Sequence, residues 1–235
     1  MTDANPAATA IDYTAPRLTP DALQALTLKP GKHAARSEGL CVMEAVAWRA
    51  GERHTDHPAC ACPVIAAYAR RTNDSLDQEV RDALKERTLK FVGTRSTPEV
   101  ERRRRDEIAF RGITLMLPFL LELVAGIGDK RFPDKETDKG PRTWNTQIRQ
   151  HATALRALTR EQGRVEWRAA AQRARATLRE ATTDAYADAD ADAYADAYAY
   201  AYAYADALKA KRDEIRAKVR EHALGTLDAM FEIGA

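Results

Sequence analysis

Apolar side chains at three- and four-residue spacing restrict the fold of this chain more than any other feature of its sequence. They recur through residues 37 to 125, and the first set is Leu40, Met43, Val46 and Ala47. This spacing places side chains on one face of an α-helix. Alternation of the kind found in β-strands is confined to residues 184 to 207. We therefore expect an all-α protein, with a compact multi-helix domain followed by a long alanine-rich helical arm.

Capping residues and helix breakers divide the helical pattern into segments. Helix starts are predicted at Thr19–Pro20, Pro63, Ser75 and Thr97–Pro98, and Gly51 is placed to end the helix that begins near Ser37. Pro118 lies inside the helix that follows Pro98. Because proline lacks an N–H donor and its ring collides with the preceding turn, we expect a kink or a break there.

Composition along the chain predicts its domain organisation. Four prolines among small and polar residues predict a flexible N-terminal arm over residues 1 to 35. A helical domain is expected over residues 36 to 128. The charged segment 129 to 142 contains two prolines and is the candidate domain boundary. Residues 143 to 235 are expected to form the long helical C-terminal arm.

The C-terminal arm contains a low-complexity repeat, residues 184 to 207, in which every odd position is alanine and every even position is aspartate or tyrosine. The period of two fits a strand, but alanine is the best helix former and both flanks have helical spacing, so we favour helix. The repeat is either a tolerated tandem expansion or a tyrosine-lined surface for a partner or for self-association. Leu208, Ile215 and Val219 then predict a docking or oligomerising helix.

Charge and cysteine content limit the classes of function and the compartment. With 37 basic and 35 acidic residues the net charge is +2, which gives no strong field toward nucleic acid or membranes. Three cysteines do not form a disulfide framework and predict a reducing cytoplasm. The N-terminus lacks the basic start and apolar run of a signal peptide. The most apolar stretch begins at Ile108 but contains Arg111, Pro118 and Glu122, so we interpret it as a core helix and expect no membrane association.

All three cysteines and two of the five histidines lie between residues 41 and 62. Zinc prefers such thiolate and imidazole donors, and the candidate ligands are Cys41, His54, His57, Cys60 and Cys62. Their CxC and HxxH spacing differs from the CxxC knuckle of ordinary zinc fingers, and any metal here is expected to be structural.

Two other interpretations of this cluster stay open. In the first, Cys41 is a small buried hydrophobe, and the residues around Asp56 form a turn whose carboxylate accepts hydrogen bonds from nearby backbone amides. In the second, Cys60 or Cys62 is a nucleophile with His54 or His57 as base and with Glu44 or Asp56 orienting that base, although the sequence supplies no oxyanion pocket. The other histidines, His33, His151 and His222, are isolated and are expected on the surface or on helix faces.

Three segments carry a resemblance to a known family. They are CVMEAVAWRAGERHTDHPACACPVIAAYARRTND from Cys41, FVGTRSTPEVERRRRDEIAFRGI from Phe91, and LMLPFLLEL from Leu115. Over about residues 38 to 125 the chain resembles an uncharacterised family of proteins common in actinobacteria and their phages. The resemblance implies this biological context and no particular chemistry, and the alanine and tyrosine repeat lies outside it.

Arginines form two further patterns. Arg102 to Arg105 are consecutive and would surround a helix, so we interpret them as solvated. Arg156, Arg160, Arg164 and Arg168 recur every four residues and would form a basic stripe if one helix continued through Gly163. Such a stripe can contact nucleic-acid phosphates or pair with carboxylates of the same chain.

These observations favour a non-enzymatic interaction or assembly protein in the cytoplasm of an actinobacterium or of a phage-infected cell. It is expected to bind a protein partner or to self-associate through the C-terminal arm. The alternatives are a small structural zinc-binding module and a nucleic-acid-binding protein that uses the arginine stripe.

Overall fold

The structure is a computed structural model that describes residues 12–131, 133–137, 140–187 and 209–234. The elements follow one another as α1 (Pro20–Ala25), α2 (Val42–Ala50), α3 (Pro63–Ser75), α4 (Gln78–Phe91), α5 (Pro98–Arg111), a π-helical segment (Gly112–Met116), α6 (Leu117–Arg131), β1 (Lys135–Thr137), β2 (Gly140–Arg142), α7 (Trp144–Arg156), α8 (Gly163–Ala187) and α9 (Arg212–Phe231). Over the described residues the all-α prediction is confirmed. A short antiparallel hairpin, β1 with β2, lies where the sequence predicted a charged loop.

Local capping chemistry explains most of the helix ends. Thr19 accepts a hydrogen bond from the Ala22 amide at the start of α1. Pro63 and Pro98 occupy first helical positions, where a missing N–H leaves no bond unmade. Gly51 ends α2 with φ 77°, a left-handed conformation that side chains other than glycine rarely adopt. These predicted helix ends are confirmed, whereas α4 begins after Asp77 and not at Ser75.

Pro118 neither breaks the helix nor leaves it regular. The chain widens into the π-helical segment just before it, and the Leu117 amide donates to the Gly112 carbonyl five residues earlier. This wider turn makes room for a proline ring that would otherwise collide with the preceding carbonyl. Helix therefore continues from α5 into α6.

The chain divides into two compact units. Unit 1 comprises Met1–Glu107 and Ala223–Ala235, and unit 2 comprises Ile108–His222. The divisions lie at residues 107/108 and 222/223, and not in the segment 129 to 142 that the sequence suggested. The hairpin in that segment connects α6 to α7, and both helices contribute side chains to the core of unit 2.

Helix α2 is the centre of unit 1. Every side chain from Val42 to Trp48 is buried. The C-terminal residues of α9 belong to the same core, because the Phe231 ring meets the Phe91 ring edge to face at 5.0 Å. The Arg87 guanidinium also forms two hydrogen bonds with the Asp228 carboxylate. The C-terminal end of the last helix is therefore packed inside unit 1, and its docking or self-association with another chain stays a prediction.

The segment expected to be a flexible N-terminal arm is packed from Asp12 onward. Its buried leucines are Leu18, Leu23, Leu26 and Leu28. The Trp48 indole N–H donates to the Ala15 carbonyl at 2.7 Å. Four leucines within eleven residues bury enough apolar surface to outweigh the prolines that suggested flexibility.

The core of unit 2 comes from α6, α7 and α8. Its buried side chains are Leu121, Ala125, Ile148, Ala152, Leu155, Ala170 and Ala174. The small alanines allow these helices to pack closely. Helix α8 reaches Ala187, and the rest of the alanine and tyrosine repeat lies outside the described residues.

Candidate functional site

The predicted cysteine and histidine cluster lies at the start of α2 and in the turn between α2 and α3, which together we call the corner. A buried carboxylate, Glu44, lies in its first part. Cys41 is the residue before α2, and its sulfur accepts from the Glu44 amide at 3.5 Å. The Glu44 carboxylate returns to accept from the Cys41 amide at 2.8 Å. This reciprocal pair is a capping box, with cysteine in the place of the usual serine or threonine.

Glu44 is completely buried and accepts hydrogen bonds from one histidine as well. The backbone amide of His33 donates to Oε1 at 2.7 Å, and the His33 ring Nδ1 lies 2.8 Å from Oε2. The His54 ring Nε2 lies 2.9 Å from the His33 carbonyl and 3.6 Å from Glu44 Oε1. His33 was predicted to be isolated, on the surface or on a helix face; its isolation is wrong, because it bonds to Glu44, eleven residues away in sequence.

The other predicted ligands face different partners. The His57 ring Nδ1 contacts the Asp56 carboxylate at 2.9 Å. Burial acts to raise the pKa of Asp56, but the hydrogen bond and charge of His57, with a smaller contribution from Lys32, lower it overall. The Cys62 amide donates to the Thr94 hydroxyl at 2.9 Å. These contacts tie the turn to its neighbours, as expected if the corner has a structural role.

Cys41 and Cys60 are not activated thiols, because the pKa of each is raised. Burial raises the pKa of Cys41 to about 12. Burial, together with the Glu52 carboxylate, raises the pKa of Cys60 to about 11. A thiol must lose its proton to act as a nucleophile, so this environment does not favour the catalytic interpretation of Cys60. Within the part of the chain that the structure describes, no group of three or more His, Cys, Asp or Glu side chains is arranged to share a metal ion. The structural zinc site stays a prediction.

The predicted arginine stripe is divided between two helices. Helix α7 ends at Arg156, and α8 begins at Gly163, whose φ of 73° is left-handed. The helix therefore does not continue through Gly163, because the chain turns there. Arg164 and Arg168 are exposed on α8.

The first two arginines of the stripe have partners within unit 2. Both terminal nitrogens of Arg156 donate to the Glu122 carboxylate. The Arg160 guanidinium lies over the Phe110 ring, 4.4 Å from its centroid. These contacts are of the intramolecular kind that the sequence left open, and the nucleic-acid site stays a prediction.

A second candidate site is a groove along α6 in unit 2, which we call the α6 groove. Its volume is about 510 Å³. Phe119, Leu123 and Ile127 supply its apolar surface, and Glu122 and Lys130 are the charged residues that α6 adds. These positions share one face of the helix. The opposite wall is formed by Ala210, Lys211 and Glu214.

The helix that carries this groove is strongly apolar and only partly buried. Pro98–Lys130 contains an 18-residue window with mean hydropathy 1.8, of which only 28% is buried. Leu115 is 45% exposed and Leu120 is 38% exposed. By length and composition this helix is also able to cross a membrane, a test that core helices of soluble proteins pass as well. The core-helix interpretation holds for the face that carries the buried Leu121 and Ala125, whereas the face with Leu115 and Leu120 is exposed.

Comparisons with protein-family models, with curated proteins and with solved structures find no match. The resemblance over residues 38 to 125 stays a prediction.

Proposed function

We propose that this chain is a non-enzymatic interaction or assembly protein that associates with another polypeptide through the α6 groove. The observation that carries this proposal is the low burial of the most apolar helix. Scattered exposed apolar residues are normal on a protein surface, but a contiguous apolar face on one helix is typical of a binding surface. A helix face with apolar positions at three- and four-residue spacing also suits helix-in-groove recognition.

The apolar side chains along α6 offer enough energy for a specific contact. Phe119 and Leu123 line the groove and are partly exposed, whereas Leu120, and Leu115 in the π-helical segment before α6, are exposed outside that lining. Burying a leucine or phenylalanine fully is worth roughly 2 kcal/mol, so completing the burial of four half-exposed side chains is worth on the order of 4 kcal/mol. The charged residues around the groove then supply orientation and selectivity.

Within the C-terminal arm, the last helix takes part in this proposal through its N-terminal end and not through its C-terminal end. Lys211 and Glu214 line the α6 groove. Leu227 and Met230 are buried in unit 1, so they are already occupied within the chain. Self-association through the C-terminal arm is therefore proposed for the residues around Lys211.

Photo-crosslinking from the exposed helix face tests this function. We would place a photoreactive amino acid at Leu120 in one variant and at Val165 in a control, since Val165 is 79% exposed and also belongs to unit 2. We expect a discrete crosslinked polypeptide product from position 120 that disappears when Leu123→Lys is added. Equal products from both positions, or no polypeptide product from position 120, would count against the proposal.

A membrane is the competing occupant of an apolar helix. We therefore include flotation with vesicles of mixed neutral and anionic phospholipid. We expect no co-flotation, because Glu122 and Lys130 lie among the apolar residues of the groove. Co-flotation that Leu120→Lys abolishes would replace the proposed protein partner with a lipid surface.

A further inference from the structure

The α6 groove has a charge pattern that is complementary to itself. Glu122 precedes Gly126 by four residues, and Lys130 follows it by four. All three residues line the groove. If two copies of α6 cross in antiparallel orientation about a two-fold axis at Gly126, Glu122 of each copy lies opposite Lys130 of the other. The same helix face on each copy thereby forms two equivalent ion pairs, as expected for a two-fold interface, in which every contact occurs twice.

Over the described part of the chain, neither packing nor backbone conformation requires a glycine at position 126. A Cβ atom built at this position meets nothing within 4 Å, and its φ is not positive. Gly128, two residues later, differs, because a Cβ at that position would collide with Asn145 Oδ1. Glycine inside a helix is less favourable than alanine, and among the residues that the structure describes nothing packed around position 126 requires it. A missing side chain at the crossing point does allow two helices to approach closely.

The apolar residues of the groove also suit a contact between two α6 helices. Phe119, Leu123 and Ile127 lie on the same face as Gly126, and a groove of about 510 Å³ holds several side chains of this size. The Glu122 carboxylate is already held in place by Arg156, so it is oriented before a partner arrives. The neighbouring apolar residues lower the local dielectric constant, which strengthens the attraction between the paired charges and offsets part of the cost of removing them from water.

We propose that the occupant of the α6 groove is a second copy of this chain, with the two α6 helices crossing at Gly126 and with Glu122 and Lys130 paired between copies. This inference rests on the proposed function, since it names the partner for the same groove. In this dimer the α6 helix of one copy packs directly on the α6 helix of the other.

Sedimentation velocity of charge-reversal variants tests the pairing. We expect the wild-type chain to dimerise. Lys130→Glu is expected to raise the dissociation constant of the dimer at least about tenfold, because the substituted carboxylate of each copy then lies opposite Glu122 of the other. Adding Glu122→Lys to that variant reverses both charges and is expected to restore the dimer. Lys135→Glu makes the same charge change on an exposed residue of β1 and is expected to leave the dimer unchanged. A dimer that tolerates Lys130→Glu would overturn the pairing.

Oxidative crosslinking gives a second readout that does not depend on the Glu122 and Arg156 contact. In Gly126→Cys the two new thiols would meet at the two-fold axis, so mild oxidation is expected to produce a disulfide-linked dimer. Val165→Cys and the wild-type chain serve as controls. Absence of the linked dimer in folded Gly126→Cys would overturn the crossing point.

The outcomes separate this inference from the function on which it rests. A strictly monomeric chain that still gives a polypeptide crosslink from Leu120 would overturn the second copy and leave the interaction function in place. A strictly monomeric chain without that crosslink would overturn both.

Discussion

Glu44→Gln is the most informative change in unit 1, because the two side chains have nearly the same shape. The Glu44 carboxylate accepts from the His33 amide, the His33 ring and the Cys41 amide at 2.7–2.8 Å. Glutamine keeps one acceptor oxygen. If that oxygen faces Cys41 and the His33 ring, the amide nitrogen is turned toward the His33 N–H, and two donors meet in a buried site. Hydrogen bonds to a charged group are worth about 1.5–3 kcal/mol each. We expect the free energy of unfolding of unit 1 to fall by about 2–3 kcal/mol.

Hydrogen exchange measured by mass spectrometry on peptides covering Val42–Ala50 reports this loss locally. Glu38→Gln is the matched control, because Glu38 is exposed and its carboxylate accepts from the Ala34 amide at 3.1 Å. We expect the control to change stability by less than about 0.5 kcal/mol, as surface substitutions do. Equal protection of α2 in the two variants would refute the argument that Glu44 holds this corner together.

Three further predictions concern other buried or paired groups. Arg104 is 2% exposed and donates to the Met230, Ile233 and Thr94 carbonyls. We expect Arg104→Lys to lower the free energy of unfolding, measured by urea denaturation, by about 2 kcal/mol. Arg103→Lys, on an exposed neighbour, is the control and is expected to lower it by less than about 0.5 kcal/mol. The hydrogen bond from Arg87 lowers the pKa of Asp228. The stability that this pair contributes is therefore present above the usual aspartate pKa near 3.8 and is lost as the pH falls below it. Asp228→Asn should destabilise the protein at neutral pH and have no effect at the acid end of the titration. The pKa of about 11 predicts that Cys60 reacts with iodoacetamide at pH 8 on the order of a hundredfold more slowly in the native chain than after unfolding in urea, and equal rates by peptide mass spectrometry would contradict this.

Local signals in the sequence were sufficient for several of the helix ends. Thr19, Gly51, Pro63 and Pro98 act on their own neighbours, so the ends that they mark could be predicted without tertiary information. The all-α class followed from spacing alone over the described residues. By contrast, the response of the helix to Pro118 was a π-helical segment, one of several ways in which a helix accommodates a proline.

The sites depended on contacts that sequence spacing does not reveal. His33 reaches Glu44 only because the chain folds back onto the start of α2. Arg104 is one of four consecutive arginines that were predicted to be solvated. Its side chain is buried and donates to a carbonyl at the end of α9. For the same reason, the hydropathy of α6 could not show which of its faces is covered. That depends on where α7 and α8 pack.

Sedimentation velocity of the full-length wild-type chain over about a hundredfold range of concentration tests the central claim most directly. The account predicts a monomer–dimer equilibrium that shifts toward monomer in Lys130→Glu and returns toward dimer when Glu122→Lys is added. A single monomeric species at every concentration, with the same sedimentation coefficient in all three chains, would contradict it.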